Sequence, residues 1–383
     1  MTRNLAIFLL LIFYAELLVS GQEKKKILTL NGYVSTLQTA MFDSLSGSFV
    51  NDNIIHNRLN IKGFANDNIT FAVEFRNRLF TGDMVKTGTF SSMTSGDHGW
   101  MDLSWNVLDE SSFFLNTTID RGWVDFNYGK VQVRAGRQRI NWGQTLVWNP
   151  NDIFNSYSFF DFDYIERPGS DAIRVQYYPG SSSVFEVAVK EDYKNDVTAA
   201  ALYRFNKWGY DIQFLTGFAN NRDIVFGSGW SGAFGSVSFR GELSWFQPAE
   251  NFLDTTGMAL FTIGFDKSFP DNSLAQLQVM YCNDPLGHED ITSLLSGNMS
   301  AKELAFSRLT AFGQFSYPVT PLFNVAVSAM WFTDLKGYFT GPSLEYSLAE
   351  NVGFSLFWQH FKSNLTDRRT RINIVFLRVK YSF

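Results

Sequence analysis

Cysteine is almost absent from this 383-residue chain, and the single residue, Cys282, excludes an intrachain disulfide and any cysteine-based zinc or iron–sulfur site. Charged residues make up only 18% of the chain, and 32 basic against 37 acidic residues give a net charge of −5. A generally basic nucleic-acid-binding surface is therefore not expected. The mean hydropathy of −0.09 is too low for a bundle of transmembrane helices.

Aromatic residues are abundant instead, with 39 Phe, 15 Tyr and 10 Trp, which is too many for a disordered chain. The recurring pattern is an alternation of apolar and polar residues over about ten positions. In the segment 69–80, for example, Phe71 and Phe75 share one parity, while Glu74 and Arg76 share the other. This period places an apolar face and a polar face on each predicted strand.

The first residues have the features of a secretory signal peptide. Arg3 precedes an apolar run from Leu5 to Val19, which small residues follow up to Gly21. The run is short for a membrane-spanning helix and contains Glu16. We therefore expect Met1–Gly21 to be a signal peptide and the exported chain to begin at residue 22.

Many aromatic-rich strands of about ten residues in an exported chain indicate an outer-membrane β-barrel. In such a barrel the apolar face of each strand meets lipid, the polar face meets the lumen, and closure leaves no edge with unpaired backbone groups. The predicted fold is all-β, a transmembrane antiparallel up-and-down β-barrel over residues 22–383. Its expected location is the outer membrane of a Gram-negative cell, with both termini in the periplasm.

The strands are counted from the alternation of short periplasmic turns and long external loops. Short connections are predicted at Ala65–Asn68, Gly129–Lys130, Pro179–Ser182, Asn206–Trp208, Pro270–Asn272, Pro318–Pro321 and Ala349–Asn351. Long ones are predicted at Met41–Asp52, Thr81–Ser112, Asn141–Ser170, Gln247–Thr256 and Asp284–Lys302. The alternation holds when Asp223–Gln247 is divided into two strands by a turn at Gly229–Gly232, which gives about 18 strands, with about 16 as the alternative. A first strand at Ile27 leaves no room for an N-terminal plug.

The segment Arg134–Gln144, with the sequence RAGRQRINWGQ, is followed by Asn149–Asn155, with the sequence NPNDIFN. Together with Phe239–Glu242, Gly264–Asp266 and the C-terminal Leu377–Phe383, it resembles an uncharacterised Gram-negative porin-like family. That family is akin to alginate-export and substrate-selective porins. The resemblance implies an outer-membrane barrel used for passive passage or, in some relatives, for structural roles.

The polar parity of the strands predicts a basic wall on one side of the lumen. Its members are Arg58, Lys62, Arg76, Arg78, Arg121, Arg134, Arg174, Arg378 and Lys380. Glu74 and Asp125 are the only carboxylates expected to balance it locally, whereas Arg240 on the far wall is opposed by Glu242. A one-sided basic wall concentrates anions in a watery lumen. The alternative is that these side chains pair with loop carboxylates and only fill the lumen.

The third external loop, Asn141–Ser170, is too aromatic for a solvated loop. Its candidate functional residues are Trp142, Trp148, Asn149, Asp152, Phe154, Asn155, Asp161, Asp163 and Glu166. The first interpretation folds the loop into the barrel mouth as a constriction, where its acidic residues face the basic wall. The second makes it a docking surface for another protein, and the third a packed cap that rigidifies the barrel.

The sequence contains no motif typical of an enzyme. Ser95, Asp97 and His98 form the one nearby cluster of catalytic residue types, and no nucleotide-binding fingerprint is present. We expect no cofactor and no bound metal. The predicted function is a porin-like channel for small polar or anionic solutes, surrounded by outer-membrane lipid. The alternative is a non-conducting barrel that serves as a subunit of a larger outer-membrane assembly, with its aromatic loops as docking surfaces for other outer-membrane proteins.

Overall fold

The computed structural model of the chain describes residues 27–45, 47–160, 166–250, 252–285, 299–365 and 368–383. The predicted signal peptide lies outside the described residues. The first ten strands are β1 (Leu28–Phe42), β2 (Val50–Phe64), β3 (Ile69–Gly82), β4 (Ser104–Asp109), β5 (Phe113–Tyr128), β6 (Val131–Gln138), β7 (Ser170–Gly180), β8 (Ser183–Glu191), β9 (Val197–Lys207) and β10 (Tyr210–Ala219). The others are β11 (Asp223–Phe234), β12 (Val237–Pro248), β13 (Met258–Ser268), β14 (Leu274–Cys282), β15 (Leu309–Thr320), β16 (Phe323–Phe332), β17 (Gly337–Ala349), β18 (Val352–Leu365) and β19 (Arg368–Ser382).

All strands except β4 form one closed antiparallel ring in chain order, and β19 pairs with β1 to close it. The closure includes two reciprocal backbone hydrogen bonds of 3.0 Å between Gly32 and Phe383. The prediction of an up-and-down barrel of 18 strands is therefore confirmed. Closure pairs the backbone groups of every ring strand on both sides, which is why no strand of the ring is left as an open edge.

Alternation along the strands separates an inward from an outward face. On β14, Leu277 and Tyr281 point outward and are 61% and 47% exposed, while Gln278 and Met280 point inward and are buried. The same two-residue period holds on β7 to β16, where the outward residues are mostly apolar and aromatic. This is the arrangement expected of strands whose outer surface meets hydrocarbon.

The short turns lie at one end of the barrel and the long loops at the other, which we call the short-turn end and the long-loop end. The turn predicted at Gly229–Gly232 is wrong, because β11 continues to Phe234 and the turn falls at Gly235, which has a φ of 61°. Gly227 and Gly229 belong to the strand and face inward. Closely spaced glycines are typical of turns, but here the lack of a side chain leaves room for residues 144 and 151 inside the barrel.

Helical structure in the described residues is limited to single turns at Val85–Thr87, Phe90–Thr94 and Ala301–Leu304, all in long loops. In the described part of the chain, no helix has the length and apolar character needed to cross a membrane.

The wall beside β5 is built in two parts. β3 pairs along one edge of β5. On the other edge, β6 pairs with residues 122–128 of β5, and β4 pairs with residues 114–118, with Ser104 opposite Thr118. Gly99, from the same loop as β4, forms an isolated bridge with Asp192 beyond the end of β8. Residues 97–109 therefore complete the wall where β6 and β7 end and the loop between them turns inward.

Candidate functional site

Residues 139–169, which connect β6 to β7, are called the inserted loop, and its described parts, 139–160 and 166–169, pack against the inner wall of the barrel. Trp142, Trp148 and Phe154 are 1%, 3% and 2% exposed. They belong to one apolar cluster with inward residues of β7 to β18. Phe160 contacts two wall residues, with ring centroids 5.2 Å from Phe339 and 4.9 Å from Phe361. The far side of the lumen is therefore filled by the aromatic side chains of this loop.

Glu242, on the inward face of β12, binds the backbone of the inserted loop. Its Oε1 accepts hydrogen bonds from the backbone N–H groups of Gln144 and of Thr145, the latter at 2.8 Å. Its Oε2 accepts one from the backbone N–H of Asn151 at 2.9 Å. Because Glu242 is fully buried, these charge-assisted hydrogen bonds replace the water that a carboxylate would otherwise hold.

Two inward glutamine side chains add further anchors. Gln213 on β10 donates from Nε2 to the carbonyl of Trp142 at 2.7 Å. Gln278 on β14 accepts from the backbone N–H of Val147 at 2.9 Å and donates to the carbonyl of Trp148 at 3.0 Å. The first half of the inserted loop thus follows the far wall from β10 to β14.

Asn149, Asp152 and Asn155 stabilise the inserted loop itself. The Asn155 side chain accepts from the backbone N–H of Ile140 at 2.8 Å and donates to the carbonyl of Pro168 at 3.0 Å, so it joins the two ends of the loop. Asn149 Oδ1 accepts a hydrogen bond of 3.2 Å from the Thr145 hydroxyl. Asp152 accepts from the backbone N–H of Trp142 at 3.3 Å, and burial raises the pKa of its carboxyl group to about 6.

Glu166, near the end of the inserted loop, lies against the opposite wall. Its Oε2 accepts a hydrogen bond from the Tyr33 hydroxyl at 3.1 Å and lies 3.8 Å from NH1 of Arg58. Asp161 and Asp163, the other two acidic residues predicted to face the basic wall, lie outside the described residues.

Arg58 is the most buried member of the predicted basic wall, with 1% of its side chain exposed. Its guanidinium binds Glu74 at 2.5 Å and Asp120 at 2.6 Å. The expectation that only Glu74 and Asp125 balance the wall is therefore wrong, since Asp120 and Glu166 also face Arg58. The register of β5 shifts opposite Glu74, and this bulge turns two successive residues, Asp120 and the basic Arg121, inward.

The arginines on β5, β6 and β7 differ in their contacts. Arg121 donates to the carbonyl of Arg167 at 2.6 Å, so it holds the end of the inserted loop. Arg134 binds Asp125 at 2.5 Å and stacks on the ring of Trp123 at 4.1 Å. Arg174, the member of the wall on β7, is partly exposed.

The other members of the wall lie on β2, β3 and β19. On β3, Arg76 is buried, and Arg78 donates to the Asn116 side chain at 3.1 Å. Aromatic rings lie under three further cations: Phe64 under Lys62 at 5.1 Å, Phe357 under Arg378 at 5.3 Å and Tyr33 under Lys380 at 4.2 Å. The nine predicted basic residues thus occupy neighbouring strands from β19 to β7, in ring order.

The predicted opposition of Arg240 and Glu242 on the far wall is also wrong. Arg240 binds Asp266 on the neighbouring strand β13 at 2.6 Å. Glu242 is occupied by the inserted loop instead. Alternation places both residues on one face but does not say which neighbour each will bind.

Arg137 is a structural residue that the predicted basic wall does not include. It lies on the outward parity of β6, yet it is 4% exposed because the loop before β4 covers it. Its guanidinium donates to Asp97 at 2.6 Å, to Asp171 at 2.7 and 2.8 Å, and to the carbonyl of Met101 at 2.7 Å. Arg137 therefore attaches residues 97–109 to the wall above β6 and β7.

No protein-family model and no curated protein matches this chain. Among solved structures it is similar to OccK5 (OpdH) of Pseudomonas aeruginosa, with a TM-score of 0.60 and 10% identity over 92% of this chain and 98% of that one. It is also similar to OprD of Pseudomonas aeruginosa, with a TM-score of 0.58 and 8% identity over 93% and 95% of the two chains. OccAB2 of Acinetobacter baumannii gives a TM-score of 0.59 and 9% identity over 93% and 98%. The chain therefore has the fold of these outer-membrane porins, a closed barrel of 18 antiparallel strands.

Proposed function

We propose that the chain is an outer-membrane channel for the passive passage of small polar solutes, with a preference for anions. The observation that carries the proposal is the set of inward basic residues on neighbouring strands from β19 to β7, facing a loop that is fixed inside the barrel. A barrel of 18 strands is wide enough to enclose water beside such a loop. Basic side chains along one wall concentrate anions by their electric field.

In this proposal the inserted loop narrows the lumen. Its first half lies on the far wall, held by Glu242 and Gln278, and its end reaches the basic wall through Glu166. Residues 1–21 direct export, and both termini lie in the periplasm. The short-turn end is then periplasmic and the long-loop end external.

Single-channel conductance of the purified barrel in a planar bilayer, with a salt gradient across it, tests the proposal. We expect steady conductance with a reversal potential that reports anion preference. The double variant Arg174→Gln/Lys380→Gln lowers that preference, because both side chains are inward and partly exposed. Arg222→Gln is the matched control, since its side chain is 72% exposed in the loop between β10 and β11.

The two parts of the proposal fail separately. A conducting barrel that prefers cations contradicts the anion preference and keeps the channel. A barrel that stays silent contradicts the channel and favours the alternative, a subunit of a larger outer-membrane assembly. The observation that favours this alternative is the exposure of apolar side chains in the loop between β3 and β5, where Met93 is 80% and Trp100 58% exposed.

A further inference from the structure

The outward face of the barrel is not uniform around the ring. On β11, β12 and β16 it carries the aromatic residues Phe226, Trp245 and Trp331, which are 51%, 37% and 56% exposed. On β1, β2, β3 and β5 the corresponding face carries amide and hydroxyl side chains. We call this set the amide strip, and its members are Thr36, Gln38, Asn53, Asn57, Asn77 and Thr117.

The strip lies at membrane depth and not only at the strand ends. Asn57 is the central residue of β2, and it is paired in register with Asn77 of β3, which in turn is opposite Thr117 of β5. The inward residues beside it, such as Arg58 and Arg76, have the opposite parity. Asn57 and Asn77 therefore point away from the lumen.

The members of the strip hydrogen-bond to one another. Asn77 donates from Nδ2 to the Asn57 side chain at 3.0 Å and accepts from the Thr117 hydroxyl at 2.9 Å. Asn53 donates to the side chains of Thr36 and Gln38, both at 3.1 Å. Two sets of side-chain hydrogen bonds thus lie on the outer surface, one between β1 and β2 and one across β2, β3 and β5.

These bonds leave hydrogen-bonding capacity at the surface. An –NH2 group carries two N–H donors, whereas Asn57 and Asn77 each donate one hydrogen bond from Nδ2 among the described residues, Asn57 to the carbonyl of Tyr33 at 3.1 Å. A polar group that faces hydrocarbon without a partner is unfavourable. The free N–H donors of the strip are therefore unfavourable if lipid covers them, and they gain hydrogen-bond partners if another protein surface covers them.

Apolar side chains flank the strip and supply a surface for packing. Ile55 and Trp105 point outward beside it and are 43% and 44% exposed. Leu59 and Leu79 continue the outward rows of β2 and β3 and are partly exposed. Asn, Gln and Thr side chains hydrogen-bond across contacts between transmembrane helices, where no hydrophobic effect drives association, and the same chemistry is available to the amide strip.

We propose that the amide strip is the contact surface of a homodimer, in which a second copy of this chain covers it. The argument rests on the complementarity of the strip to itself, because an amide both donates and accepts and the strip carries no charge that a second copy would repel. A two-fold axis along the membrane normal keeps each residue at the same depth in both copies, so the amide strip of one copy meets the amide strip of the other. The proposal depends on the outer-membrane location proposed above, but not on conductance.

Cysteine cross-linking in outer membranes tests the contact. The natural Cys282 is buried and inward, so a Cys282→Ser background carries single Asn57→Cys or Asn77→Cys substitutions. A short bis-maleimide is expected to give a dimer-sized product at one or both positions. Leu277→Cys on β14, which is outward and 61% exposed, is the matched control and gives no such product. Absence of product at both strip positions, or an equal yield at Leu277→Cys, overturns the proposal.

A second measurement separates a dimer contact from a lipid-facing strip. The double variant Asn57→Leu/Asn77→Leu keeps an outward apolar surface but removes the amides. We expect the dimer association constant in detergent to fall about ten-fold or more, with folding preserved as judged by heat-modifiable migration. Thr340→Leu, an outward substitution on β17, is the control and leaves the dimer unchanged. An undiminished dimer in the double variant overturns the role of the amides.

Discussion

Glu242 and Asn151 lie far apart in the sequence, yet the Glu242 carboxylate accepts a 2.9 Å hydrogen bond from the backbone N–H of Asn151 inside the barrel. The same carboxylate accepts two more backbone N–H groups, from Gln144 and Thr145. One buried wall residue therefore fixes the fold of the inserted loop at two separate points. A carboxylate suits this task because both of its oxygens accept hydrogen bonds and neither donates one.

Glu242→Gln is expected to loosen the inserted loop. A glutamine amide has one accepting oxygen, and its –NH2 group would face the N–H donors that the carboxylate now binds. The loss amounts to on the order of 3 kcal/mol of loop attachment, since hydrogen bonds to a charged group contribute about 1.5–3 kcal/mol each. In planar bilayers we expect larger and noisier conductance than in the native protein.

The matched control for this variant is Glu345→Gln. Glu345 is on the inward parity of β17 but is exposed, so its neutralisation changes the charge of the lumen by the same amount without touching the loop. Equal conductance changes in the two variants would show that charge and not loop attachment is responsible.

Gly227 lies where the barrel wall contacts the inserted loop, so a larger residue at this position tests how closely the two are packed. A Cβ atom built at this position would lie 2.5 Å from Oδ1 of Asn151 and 2.8 Å from Leu215. Gly227→Ala is therefore expected to displace the loop and to cost about 1–3 kcal/mol, the usual range for overpacking. Gly353→Ala is the control, because no atom lies within 4 Å of a Cβ built there. Urea unfolding of both variants in lipid vesicles measures the difference, and equal midpoints would contradict the prediction.

The strand count was predictable from the alternation of short turns and long loops, and the parity of each basic residue from alternation along its strand, because both patterns are local in the sequence. The partners of those residues were not. Asp120 faces Arg58 only because a bulge breaks the alternation of β5. Sequence periodicity carries no sign of that bulge.

The anchors of the inserted loop could not be predicted from the sequence either. Its aromatic content indicated burial, but its anchors, Glu242, Gln213 and Gln278, are separated from it by long stretches of sequence. Alternation gives only the inward parity of each anchor. The choice of partner depends on the three-dimensional path of the loop, which is set by closure of the whole ring.

Arg137→Gln is expected to release residues 97–109 from the wall. Arg137 is buried between Asp97 and Asp171, and removal of one partner from a buried ion pair typically costs about 3–5 kcal/mol because the remaining charges stay buried. The segment around Trp100 should then become sensitive to external protease on whole cells. Arg222→Gln, which removes an exposed arginine, serves as the control and should leave the proteolysis pattern unchanged. Resistance of the Arg137 variant equal to that of the native protein would contradict this account of the wall.

Asp152 gives the inserted loop a pH dependence. Burial raises the pKa of this carboxyl group from 3.8 to about 6, so the folded state binds its proton more tightly than the unfolded state. The contribution of Asp152 to stability is therefore fully present below pH 3.8 and is lost as the pH rises through about 6. Arg139, Arg167 and Lys190 act in the opposite direction, since their charges favour the carboxylate.

Asp152→Asn tests this dependence, because an amide oxygen still accepts from the backbone N–H of Trp142 while the ionisable group is removed. Above pH 7 the variant is expected to be more stable than the native protein by about 3 kcal/mol, since the pKa rises from 3.8 to about 6 and each pKa unit corresponds to about 1.4 kcal/mol. Below pH 4 that advantage disappears. Urea unfolding in lipid vesicles between pH 4 and pH 8 measures both curves. A constant difference in unfolding free energy between the variant and the native protein from pH 4 to pH 8 would show that the Asp152 carboxyl group does not titrate in that range.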